Sequence, residues 1–209
     1  MEKENLKNEI ENYLQYYYEI KKTFDIYKYI KENSVIYSKE TQQIAFFLKP
    51  ILLSLLNSTL LNISKIVDCR NQKNLNKLIN ICIANVVYFC NNPNSVNEKH
   101  EKLKLFNKIK NELEKNNSVI EKLNIYRDVY LAHTDKKYFM NFQKLFKEYK
   151  TTYEDIERIL KVIVDSLNKL LYSLCETTYV FNDEYKKEYI YILECIKECR
   201  ENNLFKYRK

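Results

Sequence analysis

The chain has 209 residues, with no glycine, no tryptophan, two prolines and a formal net charge of +7 from 35 basic and 28 acidic residues. Glycine is the default residue wherever the backbone must take φ > 0. Its absence removes the G-x-G-x-x-G and G-x-x-x-x-G-K-[ST] phosphate loops, the G-x-S-x-G elbow and the tight primed hairpins, and so argues against Rossmann enzymes, P-loop NTPases, α/β-hydrolases and β-sandwiches.

What remains is an all-α protein whose turns are built on Asn, Ser, Asp and Lys. The first segment, about residues 4–32, places Leu6, Ile10, Tyr13, Leu14, Tyr17, Ile20 and Phe24 at helical spacing. The pair Asn33-Ser34 is expected to break it. A second helix is expected from Ser38 to between Asp68 and Asn71, with Pro50 kinking or splitting it. Its apolar stretch from Ile44 to Val67 is interrupted by Lys49, Pro50, Asn57, Asn62 and Lys65. A membrane span tolerates few of these, so the stretch reads as the central buried helix of a soluble, cytoplasmic bundle.

Asn74 opens a third helix through Leu78, Ile81, Val86 and Phe89, and Asn91-Asn92-Pro93-Asn94 closes it. Three S/T-x-x-E/D pairs then have the spacing of a capping box: Ser95 with Glu98, Ser118 with Glu121, and Thr152 with Asp155. The last precedes an apolar run through Ile156, Ile159, Leu160, Ile163, Leu167 and Leu170. Residues 134–151 are less regular, and a final helix spans about Asp183 to Asn202. No repeat or linker is visible. The expectation is one domain over residues 1–209, an antiparallel bundle of about six or seven helices.

Lys, Asn, Ile and Tyr are abundant together, as AT-rich coding produces. The 19 tyrosines therefore read first as core and helix-flank residues rather than as a base-stacking surface. The six cysteines form no C-x-x-C pair, and no apolar signal core precedes them, so reduced and mostly buried thiols are expected. Cys195 and Cys199, one helical turn apart, lack ligand spacing for zinc, and no metal or other cofactor is expected. The basic tail Lys206, Arg208 and Lys209 reads as a solvated terminus.

The chain has two histidines. His100 lies among charges in Asn97-Glu-Lys-His-Glu-Lys and reads as solvated. His133 follows Arg127 and Asp128 and precedes Asp135 in Ile125-Tyr-Arg-Asp-Val-Tyr-Leu-Ala-His-Thr-Asp-Lys-Lys. A permanent cation, an imidazole and two carboxylates can do acid–base work on a phosphodiester. Histidine is matched to proton transfer near neutral pH, arginine fits phosphate oxygens bidentately, and the RNA 2′-hydroxyl is an internal nucleophile. On an ideal helix Arg127 and His133 point about 120° apart. They converge only if the helix ends or distorts near His133, or if a second copy of the chain completes the site. The competing reading is a core histidine on the face of Leu123, Tyr126 and Tyr130, with Arg127 and Asp128 as surface charges.

Residues 127–135, Arg-Asp-Val-Tyr-Leu-Ala-His-Thr-Asp, resemble the R-x4–6-H signature of HEPN domains (higher eukaryotes and prokaryotes nucleotide-binding). The R-D-x-x-L-A-H-x-D form is similar to the abortive-infection U type. The helix from Leu52 to Asp68 resembles an earlier family helix ending in an acidic residue, so the likeness covers roughly residues 40–140. The resemblance implies a helical homodimer with facing motif segments, acting as a metal-independent endoribonuclease of an abortive-infection or toxin–antitoxin system, with a cognate antitoxin as a further partner. Carried over, Arg127 holds the scissile phosphate, His133 is the general base or acid, Asp128 orients a neighbour, and Asp135 supports the site. Asp68 is a weaker candidate, and Tyr130 and Lys136 join Arg127 as substrate contacts. Regulation by modification of a tyrosine two residues after the histidine is not implied, because that position is Asp135. Two other readings stay open: a non-catalytic HEPN-like module binding nucleotide, RNA or protein, and a helical interaction protein in which the segment is structural.

Overall fold

The computed structural model describes residues 2–132, 151–181 and 185–202. Among them are eight α-helices, one 3-10 turn and no strand. The helices are α1 (Lys3–Ile36), α2 (Ser38–Gln43), α3 (Ala45–Val67), α4 (Leu75–Ala84), α5 (Val96–Glu114), α6 (Asn117–Ala132), α7 (Tyr153–Cys175) and α8 (Tyr185–Glu201), with the 3-10 turn at Val86–Phe89. The all-α expectation holds, and the expected irregular stretch 134–151 falls almost wholly outside the described residues.

Local chemistry explains where the boundaries differ from the sequence pattern. α1 runs through Asn33-Ser34. Asn33 Nδ2 donates to the Tyr29 carbonyl at 2.9 Å and Ser34 Oγ to the Lys31 carbonyl at 2.7 Å. Both side chains bond back onto their own helix instead of ending it. The expected second helix splits at Ile44, which raises the helix number above six or seven, and Pro50 lies inside α3. Even after the restart at Ala45, Pro50 is the sixth residue of α3, so its missing N–H removes the bond to the Phe46 carbonyl one turn back.

The three expected capping boxes diverge. Thr152 forms a complete one: Asp155 N–H donates to Thr152 Oγ1 at 3.1 Å, and Thr152 N–H donates to Asp155 Oδ2 at 3.3 Å. Ser95 caps α5 through the Glu98 N–H, but the Glu98 carboxylate accepts from the Asn92 N–H instead of returning to Ser95. Ser118 does not sit at a helix start, because α6 already begins at Asn117 after the turn at Lys115-Asn116. At the far end of α7, Glu176 adopts φ 57° and ψ 22°, the only positive φ among the described residues. A chain without glycine puts an ordinary residue into the left-handed helix stop, at a cost of about 1 kcal/mol.

The chain packs as two compact units, Met1–Glu19 with Leu60–Val180, and Ile20–Thr59 with Phe181–Lys209. The first holds the fully buried Leu6, Ile10 and Leu14 of α1, Ile63 of α3, Leu75 and Ile79 of α4, Phe106 of α5, Leu123 of α6 and Ile163, Leu167 and Leu170 of α7. Each such aliphatic side chain contributes about 1.5–3 kcal/mol on burial. Phe89 meets Phe106 edge-on, with ring centroids 4.9 Å apart. The second unit buries Ile20, Phe24, Tyr27, Ile30, Leu48 and Leu193, and pairs Arg200 with the buried Glu40 at 2.8 Å.

Two sequence expectations need correction. α3 is not buried along its length: Leu60, Ile63, Ile66 and Val67 are, while Phe46, Phe47 and Leu53 are exposed. Among the described residues it is the one helix long and apolar enough to cross a membrane, and only 28% of its most apolar window is buried. The cysteines are free, but only Cys82 is buried; Cys69 is exposed and the other four are intermediate.

Thr152→Ala should lower stability by about 1 kcal/mol, since it leaves a helix N-terminal N–H without its acceptor. Thr152→Ser should retain most of it. Urea denaturation of the two variants checks this.

Candidate functional site

The first unit brings the end of α3 against α6. Ser64 of α3 and Asp68, just past its end, lie one turn apart, and Asn124 and Arg127 lie one turn apart on α6, so each element presents two polar groups on one stripe. Ser64 Oγ donates to Asn124 Oδ1 at 2.8 Å, and Arg127 Nη1 lies 2.5 Å from Asp68 Oδ2. Asp68 is fully buried and Arg127 is 9% exposed. This rules out the reading of Arg127 as an ordinary surface charge.

Two further side chains close the arrangement into a ring. Arg70, in the turn after α3, donates from Nε to both Asp68 oxygens at 3.0 Å and from its own backbone N–H to Oδ1 at 3.0 Å. Its Nη1 reaches Asp128 Oδ2 at 2.9 Å. Asp128 Oδ1 in turn accepts from Arg127 Nε at 3.1 Å and Nη2 at 2.7 Å. Two carboxylates and two guanidiniums thus alternate, with formal charges that cancel. One edge, Asp68 and Arg127, is buried. The other faces solvent, with the Asp128 and Arg70 side chains 47% and 56% exposed.

Asp68 sits just past the C-terminus of α3, where the helix dipole disfavours an anion. Burial alone would raise its carboxyl pKa, but hydrogen bonds from Arg70 and then Arg127 outweigh this and hold it below the usual carboxylate range. Asp128 is likewise depressed: desolvation opposes, and hydrogen bonds from Arg127 and Arg70 prevail. Arg70 is pushed above the ordinary arginine value by its bonds to Asp68 and Asp128. The carboxylates are therefore ionised throughout the physiological range.

Of the residues expected from sequence, Arg127 and Asp128 meet, and the weaker candidate Asp68 joins them at the buried centre. Tyr130 lies on α6, and His133, Asp135 and Lys136 lie outside the described residues. His100 is exposed on α5, as its charged surroundings suggest. Arg70 escaped the sequence reading. Its signal was rarity: only five of the 35 basic residues are arginines. In a lysine-rich chain, arginine marks places that need a planar, bidentate donor. The other two described arginines fit this rule, Arg158 on Asp155 at 2.6 Å and Arg200 on Glu40. No cluster of three or more metal-ligating side chains occurs among the described residues.

The described chain is all-α, and its candidate site ties Arg127 and Asp128 of α6 to Asp68 at the end of α3. The chain belongs to the HEPN_AbiU2 family (AbiU2), whose family model matches residues 3–190. No curated protein and no solved structure matches it.

Because both carboxylates are held below their ordinary values, the stability they contribute is fully present above about pH 4 and is lost as pH falls through their folded values. Asp68→Asn removes the buried anion from Arg127, leaving it only the half-exposed Asp128, and should cost about 3 kcal/mol at pH 7. Its melting temperature should also fall less steeply than the wild type's as pH is lowered from about 4. Thermal melts from neutral to acid pH check both.

Proposed function

We propose that the protein is an endoribonuclease that needs no metal ion and acts as a homodimer in an abortive-infection or toxin–antitoxin defence system of the cytoplasm. The observation that carries this reading is the bridging of Arg127 and Arg70 by one half-exposed carboxylate, Asp128, in a member of the HEPN_AbiU2 family. A carboxylate between two guanidiniums occupies the place a phosphate oxygen prefers, since both anions accept paired N–H donors in a plane. RNA binding replaces the Asp128 carboxylate with a phosphodiester, and Asp68 keeps Arg127 in position beneath it.

The chemistry then follows from RNA itself. His133 removes the proton from the 2′-hydroxyl, the 2′-oxygen attacks the adjacent phosphorus as the bond from phosphorus to the 5′-oxygen breaks, and the leaving 5′-oxygen takes that proton back from His133. The products are a 2′,3′-cyclic phosphate and a 5′-hydroxyl. Arg127 and Arg70 stabilise the charge that builds on the non-bridging oxygens. Asp135 supports His133, and Tyr130 and Lys136 contact the substrate. A second copy of the chain brings a facing motif segment, and a cognate antitoxin restrains the activity.

A second reading is a non-catalytic RNA- or nucleotide-binding module. The charge-neutral ring favours it, because Arg127 already spends Nε, Nη1 and Nη2 on carboxylates.

Purified protein should cleave single-stranded RNA in EDTA and leave 2′,3′-cyclic ends. His133→Ala should lower the rate by about 10²–10⁴-fold with little change in melting temperature. Undiminished cleavage by His133→Ala would remove that residue from the mechanism. RNA binding without cleavage by the wild type would favour the second reading.

A further inference from the structure

The turn that carries Asp68 and Arg70 has a second face. Asp68 accepts the Asn71 N–H through its carbonyl at 3.1 Å, so the turn is closed on itself. Asn71, Gln72 and Lys73 then line a cavity of about 450 Å³ together with Glu9, Asn12, Tyr13 and Tyr16 of α1 and Lys65 and Ile66 of α3. The cavity lies wholly within the first unit.

Its walls are held in place. Tyr13 Oη donates to the Asn74 carbonyl at 3.3 Å, and Tyr16 Oη donates to Asn62 Oδ1 at 2.9 Å, so each ring is fixed at its polar end. Lys65 shares Asn62 Oδ1 at 3.2 Å, and Asn71 Nδ2 donates to the Lys65 carbonyl at 3.0 Å. Burial, and then the charge of Glu9, push the Tyr13 phenol up to about 12, which keeps it a neutral donor. Tyr13 is buried and Tyr16 is 37% exposed, so it is Tyr16 that offers an accessible ring.

We infer that this cavity is a nucleotide subsite, in which a base of single-stranded RNA stacks on Tyr16 while Lys65 and Lys73 meet its phosphate. Three features of the cavity point to that ligand. It is large enough for a base with its ribose. The amides of Asn12, Asn71 and Gln72 carry donors and acceptors for a base edge. The two lysines outnumber the one carboxylate, Glu9, so the lining attracts an anion. Stacking on an aromatic ring beside a basic rim is the general means of gripping a single strand. The inference rests on the ribonuclease reading and extends it. The strand crosses the α3–α4 turn, with a phosphate at Arg70 and Arg127 on one side and a neighbouring base in the cavity on the other.

The test is fluorescence anisotropy with a labelled single-stranded RNA of about ten nucleotides and the full chain. Tyr16→Ala should weaken binding about tenfold. Tyr16→Phe, which keeps the ring, should bind within about twofold of wild type. Lys73→Glu, at an exposed position, should weaken binding and make the slope of log K against log salt shallower by about one. Each variant's melt is recorded so that lost binding is not misread as lost fold. If the wild type binds RNA but Tyr16→Ala and Lys73→Glu bind equally well, the subsite is wrong and the ribonuclease reading stands. If the wild type neither binds nor cleaves RNA, both fall.

Discussion

Asp68 carries a full negative charge at a position with no exposed surface, at the end of a helix whose dipole repels it. Such a group is tolerated only when its charge is met and its lone pairs are bonded. Two guanidiniums from different elements do this, Arg70 from the following turn and Arg127 from α6. The rest of the site depends on that requirement. It fixes the conformation of the α3–α4 turn, draws α6 against α3, and fixes the Arg127 guanidinium between the buried carboxylate and Asp128. The Ser64–Asn124 hydrogen bond adds a second rung a turn away and sets the register of the two helices. Breaking a buried pair costs far more than an exposed ion pair contributes, so the ring is a tie as well as a site.

The absence of glycine acts at the same level. A protein that handles phosphate with a glycine loop brings backbone N–H groups to the ligand. On the ribonuclease reading proposed above, this chain would present side chains instead, and arginine is the side chain whose geometry suits the task. The same shortage shapes the helix ends. Asn74 caps α4 by accepting from the Lys77 N–H, and the Asn85 side chain donates to the Ile81 carbonyl at its end. Glu176 takes a backbone conformation that glycine would take freely. Asn74 and Asn85 are thus structural parts, with side-chain groups spent on helix ends.

Much of this was legible beforehand, for reasons that differ by residue. The heptad-like spacing from Leu6 to Phe24 gave α1 its buried face, because burial of one stripe is periodic and local. Arg127 and Asp128 stood out because they belong to one short segment. Asp68 was visible only as the end of a helix, and Arg70 was not singled out at all: its partner Asp128 lies 58 positions away. Contacts of that kind leave no periodic trace. The expected break at Asn33-Ser34 does not occur because Asn and Ser bond equally well to a helix interior or to a cap, and spacing alone does not choose between them. The two exposed phenylalanines of α3, Phe46 and Phe47, show the same limit for apolar runs, since composition gives hydrophobicity but not what covers it.

The central claim is that Asp68 and Arg127 act as one unit across the α3–α6 contact. A double-mutant cycle of Asp68→Ala, Arg127→Ala and the double variant, followed by urea unfolding, measures it directly. A pair in mutual, desolvated contact should show a coupling of about 2–3 kcal/mol, with the double variant less destabilised than the sum of the single ones. Strict additivity, with a coupling within about 0.5 kcal/mol of zero, would contradict the account.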